Sequence, residues 1–216
     1  YNSGYNIVGV VTNVDKPKGR GMKMIPTPVK EFALEKELTI YQPLKVRNNE
    51  EFINEMKDLK PDLFCVVAYG KILPAELLDI PKYGSINVHG SLLPKYRGAA
   101  PMQWALINGE EKTGITTMLM DVGMDTGDML LKEELEIKDE YNLESIHDKL
   151  MVMGAELLVK TIDKLVEGTI TPVAQPEEGT LAPMITREMT KIDFSKKPRE
   201  IFNFVRGLSP FPGTYM

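Results

Sequence analysis

One cysteine in 216 residues excludes a disulfide framework and any zinc site built on paired cysteines, and it fits a reducing compartment. Two histidines are too few for a His-rich metal centre. No stretch approaches the roughly 20 apolar residues that cross a bilayer. Positive charge is not in excess: 26 Lys and Arg against 31 Asp and Glu leave a formal charge of −5, which argues against binding nucleic acid over the whole surface. Repeats, low-complexity segments and a serine elbow are also missing. What remains, 43% hydrophobic and 26% charged, is the composition of a globular protein of one large or two small domains. Cys65 sits in the apolar run DLFCVVAYG and reads as packing.

The pattern along the chain alternates strand and helix. YNIVGVVTN (5–13), LTIYQP (38–43), DLFCVVAYG (62–70) and SINVHG (85–90) read as strands, with helices expected at 28–36, 48–59 and 74–79. A helix at 99–110, strands at 114–120 and 128–137, a long amphipathic helix at 142–168 and a short strand at 170–175 follow. The order predicts an α/β fold with a Rossmann-like, doubly wound, mostly parallel sheet. From about 176 the chain turns polar and extended before a last helix at 198–208, as a tail wrapping the domain would. The expected organisation is a catalytic domain over 1–175 and a linker with a helix over 176–216.

The chemistry concentrates in SINVHGSLLPKYRGAAP (85–101) and MDVGMDTGDM (120–129). On a strand, residues two apart share a face, roughly 6.5–7 Å from each other, so Asn87 and His89 point into one space. That space lies at a strand's carboxyl end, where open α/β sheets bind ligands. An amide can donate to a developing oxyanion, and an imidazole can polarise a carbonyl and relay a proton. Asp125, held between glycines, supplies a carboxylate to orient the ring. Alone, Asn-X-His is more often a pair of satisfied strand-end residues, and Asp beside Gly a turn residue. Together, with no protein nucleophile or metal cluster in the pattern, they point to acyl transfer through a tetrahedral intermediate, the nucleophile coming from a substrate. Asp121 and Asp128 flank the same loop as rivals to Asp125. His147 reads as a helix-surface histidine, and Met102 and Trp104 as packing. The loop SLLPKYRG (91–98) could lay its backbone along a flat ligand, with Leu92 and Leu93 as apolar contacts. A basic run over 14–30 carries Lys16, Lys18, Arg20, Lys23 and Lys30 against Asp15 alone, and by itself reads as a solvated loop.

These segments resemble the folate-dependent formyltransferases. The resemblance rests on Asn87-Val88-His89, SLLP (91–94), RGAAP (97–101), MDVGMDTGDM (120–129), GRGMKMIPTPVK (19–30), VVAYGKILP (66–74), DIPKYGSIN (79–87) and LSPFPGTY (208–215), and so covers essentially the whole chain. It implies a Rossmann-like domain and a smaller carboxyl-terminal barrel, with 10-formyltetrahydrofolate as formyl donor and no metal. The basic insertion, RGAAP and MDTGDM are selective for the branch that formylates the α-amino group of initiator methionyl-tRNA. By motif, Asn87, His89 and Asp125 fall on catalytic positions, and Ser91, Leu92, Leu93 and Pro94 on the folate-contacting loop. Lys16, Lys18, Arg20 and Lys23 fall on the insertion that reaches the tRNA acceptor end.

A first strand and helix expected before this segment, and the barrel expected after it, are not in the sequence. The chain therefore reads as a fragment, expected to be a poor enzyme alone. The resemblance and the lone cysteine also imply a cytoplasmic protein, and a monomer is expected. His89-Gly90 and Trp104 stand where many relatives carry Ala and Arg. The His-Gly pair keeps open an amino-sugar acceptor. Glycinamide ribonucleotide as acceptor, hydrolytic deformylation, and a non-catalytic folate- or RNA-binding module also stay open.

Overall fold

The computed structural model describes residues 1–18 and 22–216. The chain divides into two compact units, Tyr1–Ser85 and Ile86–Met216, a division by packing that is separate from the boundary expected near residue 175.

The first unit holds β1 (Val10–Val11), β2 (Lys16–Lys18), β3 (Lys23–Ile25), α1 (Pro28–Glu35), β4 (Ile40–Tyr41), α2 (Glu50–Asp58), β5 (Phe64–Val66) and α3 (Ala75–Leu78). Each longer helix starts where a side chain satisfies a free main-chain N–H: Thr27 accepts from Lys30, and Asn49 from Phe52. Phe52, Ile53 and Met56, spaced along one face of α2, pack with Val46 and Leu77 into a core. β1 and β4 pair in parallel, as the alternation predicts. The basic run contains an antiparallel hairpin, β2 against β3, where the residue pattern predicts only loop.

The second unit continues β6 (Ser85–His89) from Ile86, then α4 (Pro101–Ile107), β7 (Lys112–Leu119), β8 (Met129–Glu136), α5 (Leu143–Val166), a 3-10 turn at Glu188–Thr190, and α6 (Pro198–Leu208). β6, β7 and β8 pair antiparallel, Asn87 opposite Met118 and His89 opposite Thr116. The connection 120–128 is too short for the crossover of a dozen or more residues that a parallel pair requires. The expected strand at 170–175 is a single bridge, Val173 to Met129.

α5 buries Ile146, Leu150, Gly154, Leu157 and Thr161, one stripe at helical spacing. A β-carbon on Gly154 would stand 3.1 Å from Val88 Cγ1, so the glycine lets the helix press close to β6. Val88 points to that covered side, which sends Asn87 and His89 to the other. Beneath the sheet, the Thr117 and Thr161 hydroxyls bond at 2.9 Å, a satisfied polar pair within the core.

Candidate active site

β6 ends at His89, and its ring is buried, 5% exposed. Nε2 lies 2.8 Å from the main-chain carbonyl of Tyr96. A carbonyl can only accept, so Nε2 carries the hydrogen and Nδ1 is the nitrogen left to work. Nδ1 faces Asp125 Oδ2 at 3.6 Å, too long for a hydrogen bond.

Asp125 comes from the connection after β7, which returns over β6 with Asp125 in the left-handed region at φ 54°. One carboxylate oxygen accepts the Gly98 N–H at 2.9 Å; the other takes a long contact, 3.4 Å, from Asn87 Nδ2. Asn87, His89 and Asp125 are thus together. The rivals are not: Asp121 is exposed and ties its own turn, accepting from Gly123 N–H and the Thr126 hydroxyl, while the Asp128 carbonyl closes the hairpin onto Leu119 N–H. His147 is on the surface of α5, beside Asp148.

The loop 91–98 is fastened from several sides. The Thr116 hydroxyl donates to the Ser91 carbonyl and accepts the Leu93 N–H, and Lys132 Nζ donates to the Leu93 carbonyl. Burial holds the Lys132 ammonium below its ordinary value. The Leu92 and Pro94 carbonyls accept from Lys95 and Thr180 N–H groups. All four carbonyls of 91–94 therefore have protein partners. Ser91 and Leu93 are buried, and Leu92 and Pro94 are the half-buried members of the four.

Tyr96, whose carbonyl holds His89, is anchored in turn. Its hydroxyl donates to Glu110 and accepts from Asn108 Nδ2, and its N–H donates to the Thr180 hydroxyl. Tyr96, Gly98 and Gln175, which donates to the Asp125 carbonyl, carry no individual role in the sequence pattern. Two of these act through the main chain, which leaves no signature in residue type.

In the basic hairpin, the register sets Lys16 opposite Ile25, so Lys16 and Lys23 share a face, and both are exposed. Lys30 instead pairs with Asp15 at 2.8 Å, and Gln42 also donates to that carboxylate. Hydrogen bonds from Lys30 and Gln42 hold the Asp15 carboxyl below its ordinary value despite some desolvation. The backbone of Lys18 pairs with Lys23, and Arg20 lies outside the described residues. Among the described residues there is no cluster of His, Cys, Asp and Glu that could hold a metal ion, and no helix is long and apolar enough to cross a membrane.

A buried imidazole with one nitrogen fixed, an amide beside it and a carboxylate behind it are groups that can polarise a carbonyl and relay a proton. The formyl transferase family matches residues 1–162, and the formyl transferase C-terminal domain matches residues 184–216. The methionyl-tRNA formyltransferase of Caldanaerobacter subterraneus subsp. tengcongensis is 55% identical over 216 residues, spanning all of this chain and 70% of that protein. Among solved structures, a 4-N formyltransferase from Francisella tularensis has a TM-score of 0.72 at 27% identity, over 86% of this chain and 76% of its own. An N-formyltransferase from Helicobacter canadensis, solved with folinic acid and dTDP-3-aminofucose, has a TM-score of 0.70 at 23% identity, over 92% of this chain and 69% of its own. The chain belongs to the formyl transferase family and, within it, to the methionyl-tRNA formyltransferases, which formylate initiator methionyl-tRNA.

Proposed function

We propose that the formyl group comes from 10-formyltetrahydrofolate and that Asn87, His89 and Asp125 carry the transfer. The neutral α-amine of methionine attacks the formyl carbon and forms a tetrahedral oxyanion. Asn87 Nδ2 donates to that oxygen. His89 Nδ1 takes the proton the amine must lose, and the charged ring then stands between the oxyanion and Asp125. The carbon–N10 bond breaks as a proton reaches N10, relayed by His89 or by a water beside Asp125. Products are the formamide on tRNA and tetrahydrofolate, with no covalent enzyme intermediate. The observation that carries this reading is that Asn87 and His89 both face the Asp125 carboxylate.

Ser91, Leu92, Leu93 and Pro94 form the folate loop. Leu92 and Pro94, the half-buried pair, supply apolar contact while the buried Ser91 and Leu93 anchor the loop from inside. Lys16, Lys18, Arg20 and Lys23 meet the phosphates of the tRNA acceptor end. Residues 1–175 are the catalytic domain and 176–216 the linker and helix beyond it, in a cytoplasmic monomer.

The test is formyl transfer by the full-length protein with initiator methionyl-tRNA and an amino sugar as parallel acceptors. Transfer to the tRNA alone supports the reading. Transfer to the sugar, or formate release with neither acceptor, overturns the proposed acceptor or donor chemistry.

A further inference from the structure

We infer that Gln175 is a positioning residue for Asp125, acting from the 173–182 strap through the main chain of the Asp125 loop; this rests on the proposal that Asp125 belongs to the reacting site. Between Thr171 and Leu181 every residue is exposed except Gln175. Its side-chain amide is committed at both ends, with Nε2 also 3.9 Å from Met118 Sδ. Nε2 donates to the Asp125 carbonyl at 2.9 Å and to the Gly127 carbonyl at 2.8 Å, while Oε1 accepts from Arg97 Nε at 3.0 Å. The amide cannot be turned round, because arginine only donates and carbonyls only accept.

Asp125 occupies a left-handed conformation that a non-glycine residue adopts only when its surroundings hold it there. Gln175 supplies that hold on both sides of Thr126. Arg97 closes the circuit, because its neighbour Gly98 donates to the Asp125 carboxylate directly. The rest of the Arg97 guanidinium grips the strap at the carbonyls of Pro176, 2.9 Å, and Glu177, 3.4 Å. The strap itself is pinned by paired main-chain bonds between Val173 and Met129, 2.8 and 2.9 Å, and by Ala182 bonding Arg97 and Ala100. Gln175 has no bond to the carboxylate, so its influence runs through where Asp125 Oδ2 stands against His89.

The substitutions separate the two ends of this link. Gln175→Glu keeps a partner for Arg97 but turns a carboxylate oxygen toward two carbonyls. Gln175→Ala removes every side-chain bond of Gln175. Both are expected to lower kcat about 10- to 100-fold, with KM for tRNA and for the folate within about threefold, since the loss is in orientation and not in binding. In an Asp125→Ala background, Gln175→Ala is expected to add nothing, because residues acting as one unit do not add. If Asp125→Ala alone turns over normally, the proposed site is wrong. If Asp125→Ala is slow, yet the Gln175 variants keep wild-type kcat or add their full loss to it, only the positioning role is overturned. Failure of both Gln175 variants to fold in a thermal melt also overturns it, because the strap would then be holding the fold and not the carboxylate.

Discussion

The His89 ring gives its Nε2–H to the main-chain carbonyl of Tyr96 at 2.8 Å, and that bond decides which nitrogen faces Asp125. The neutral ring is therefore expected as the Nε2–H tautomer. Nitrogen-15 chemical shifts of labelled histidine, assigned by comparison with a His89→Ala sample, read this directly. A neutral ring protonated at Nδ1 would contradict the assignment of Nδ1 as the working nitrogen.

The Tyr96 anchor makes stability depend on pH at both extremes. Burial raises the phenol; the bond from Asn108 lowers it and Glu110 raises it again, leaving it at about 12. A raised value means the contribution is complete below about pH 10 and lost as pH climbs toward about 12. Glu110 runs the other way. Burial raises its carboxyl, but bonds from Tyr96 and Lys95 outweigh that and hold it below 4.5. Its contribution is present above about pH 4.5 and lost as pH falls through the folded value. Melting curves should show Tyr96→Phe flattening the alkaline limb and Glu110→Gln the acid limb. Variant curves parallel to wild type across both limbs would contradict this.

Two glycines near the site should respond very unequally to alanine. A methyl on Gly127 would lie 1.7 Å from the Leu119 carbonyl oxygen, which is backbone and cannot step aside, so the Asp125 loop must move. Gly127→Ala is expected to cost about 1–3 kcal/mol of stability and about tenfold or more in kcat. At Gly90 the nearest atom would be Met102 Cε at 3.5 Å, an ordinary contact. Gly90→Ala should stay within about 0.5 kcal/mol and about twofold in kcat. Equal effects at the two positions, by thermal melt and steady-state rate, would contradict the packing.

Lys16 and Lys23 share an exposed face of the basic hairpin, whereas Lys30 is committed to Asp15. Replacing Lys16 and Lys23 with Ala should raise KM for tRNA several-fold and leave KM for folate unchanged. It should also reduce the slope of log affinity against log salt by about one for each phosphate that the hairpin no longer neutralises. Lys30→Ala should leave that slope unchanged. A salt slope unaffected by the first pair of substitutions would remove the hairpin from the tRNA surface.

Much of this is legible in the residues before any folding is considered, for physical reasons. Strand period alone places Asn87 and His89 on one side, and α5 announces itself by a stripe of apolar residues. Asp125 stands out because glycines flank its tight segment, although its left-handed backbone does not show in the sequence. The β2–β3 hairpin escapes because Lys-Pro-Lys carries no apolar alternation, and Pro17 suits only an edge. β1 is only two residues long against nine expected, since an apolar run marks burial but not how far a partner pairs with it. Gln175 lies in a polar run that reads as a tail. Its bonds reach main chain 50 and 48 positions away, and no local pattern encodes that.

The most direct test is single-turnover formylation of initiator methionyl-tRNA from 10-formyltetrahydrofolate, both saturating, comparing wild-type full-length protein with Asn87→Ala, His89→Ala and Asp125→Ala. Each His89 or Asp125 substitution is expected to slow the transfer step by about 10²-fold or more, with Asn87→Ala also impaired by loss of an oxyanion donor. Transfer at near wild-type rate in either the His89→Ala or the Asp125→Ala protein would show that the formyl group is moved by other residues.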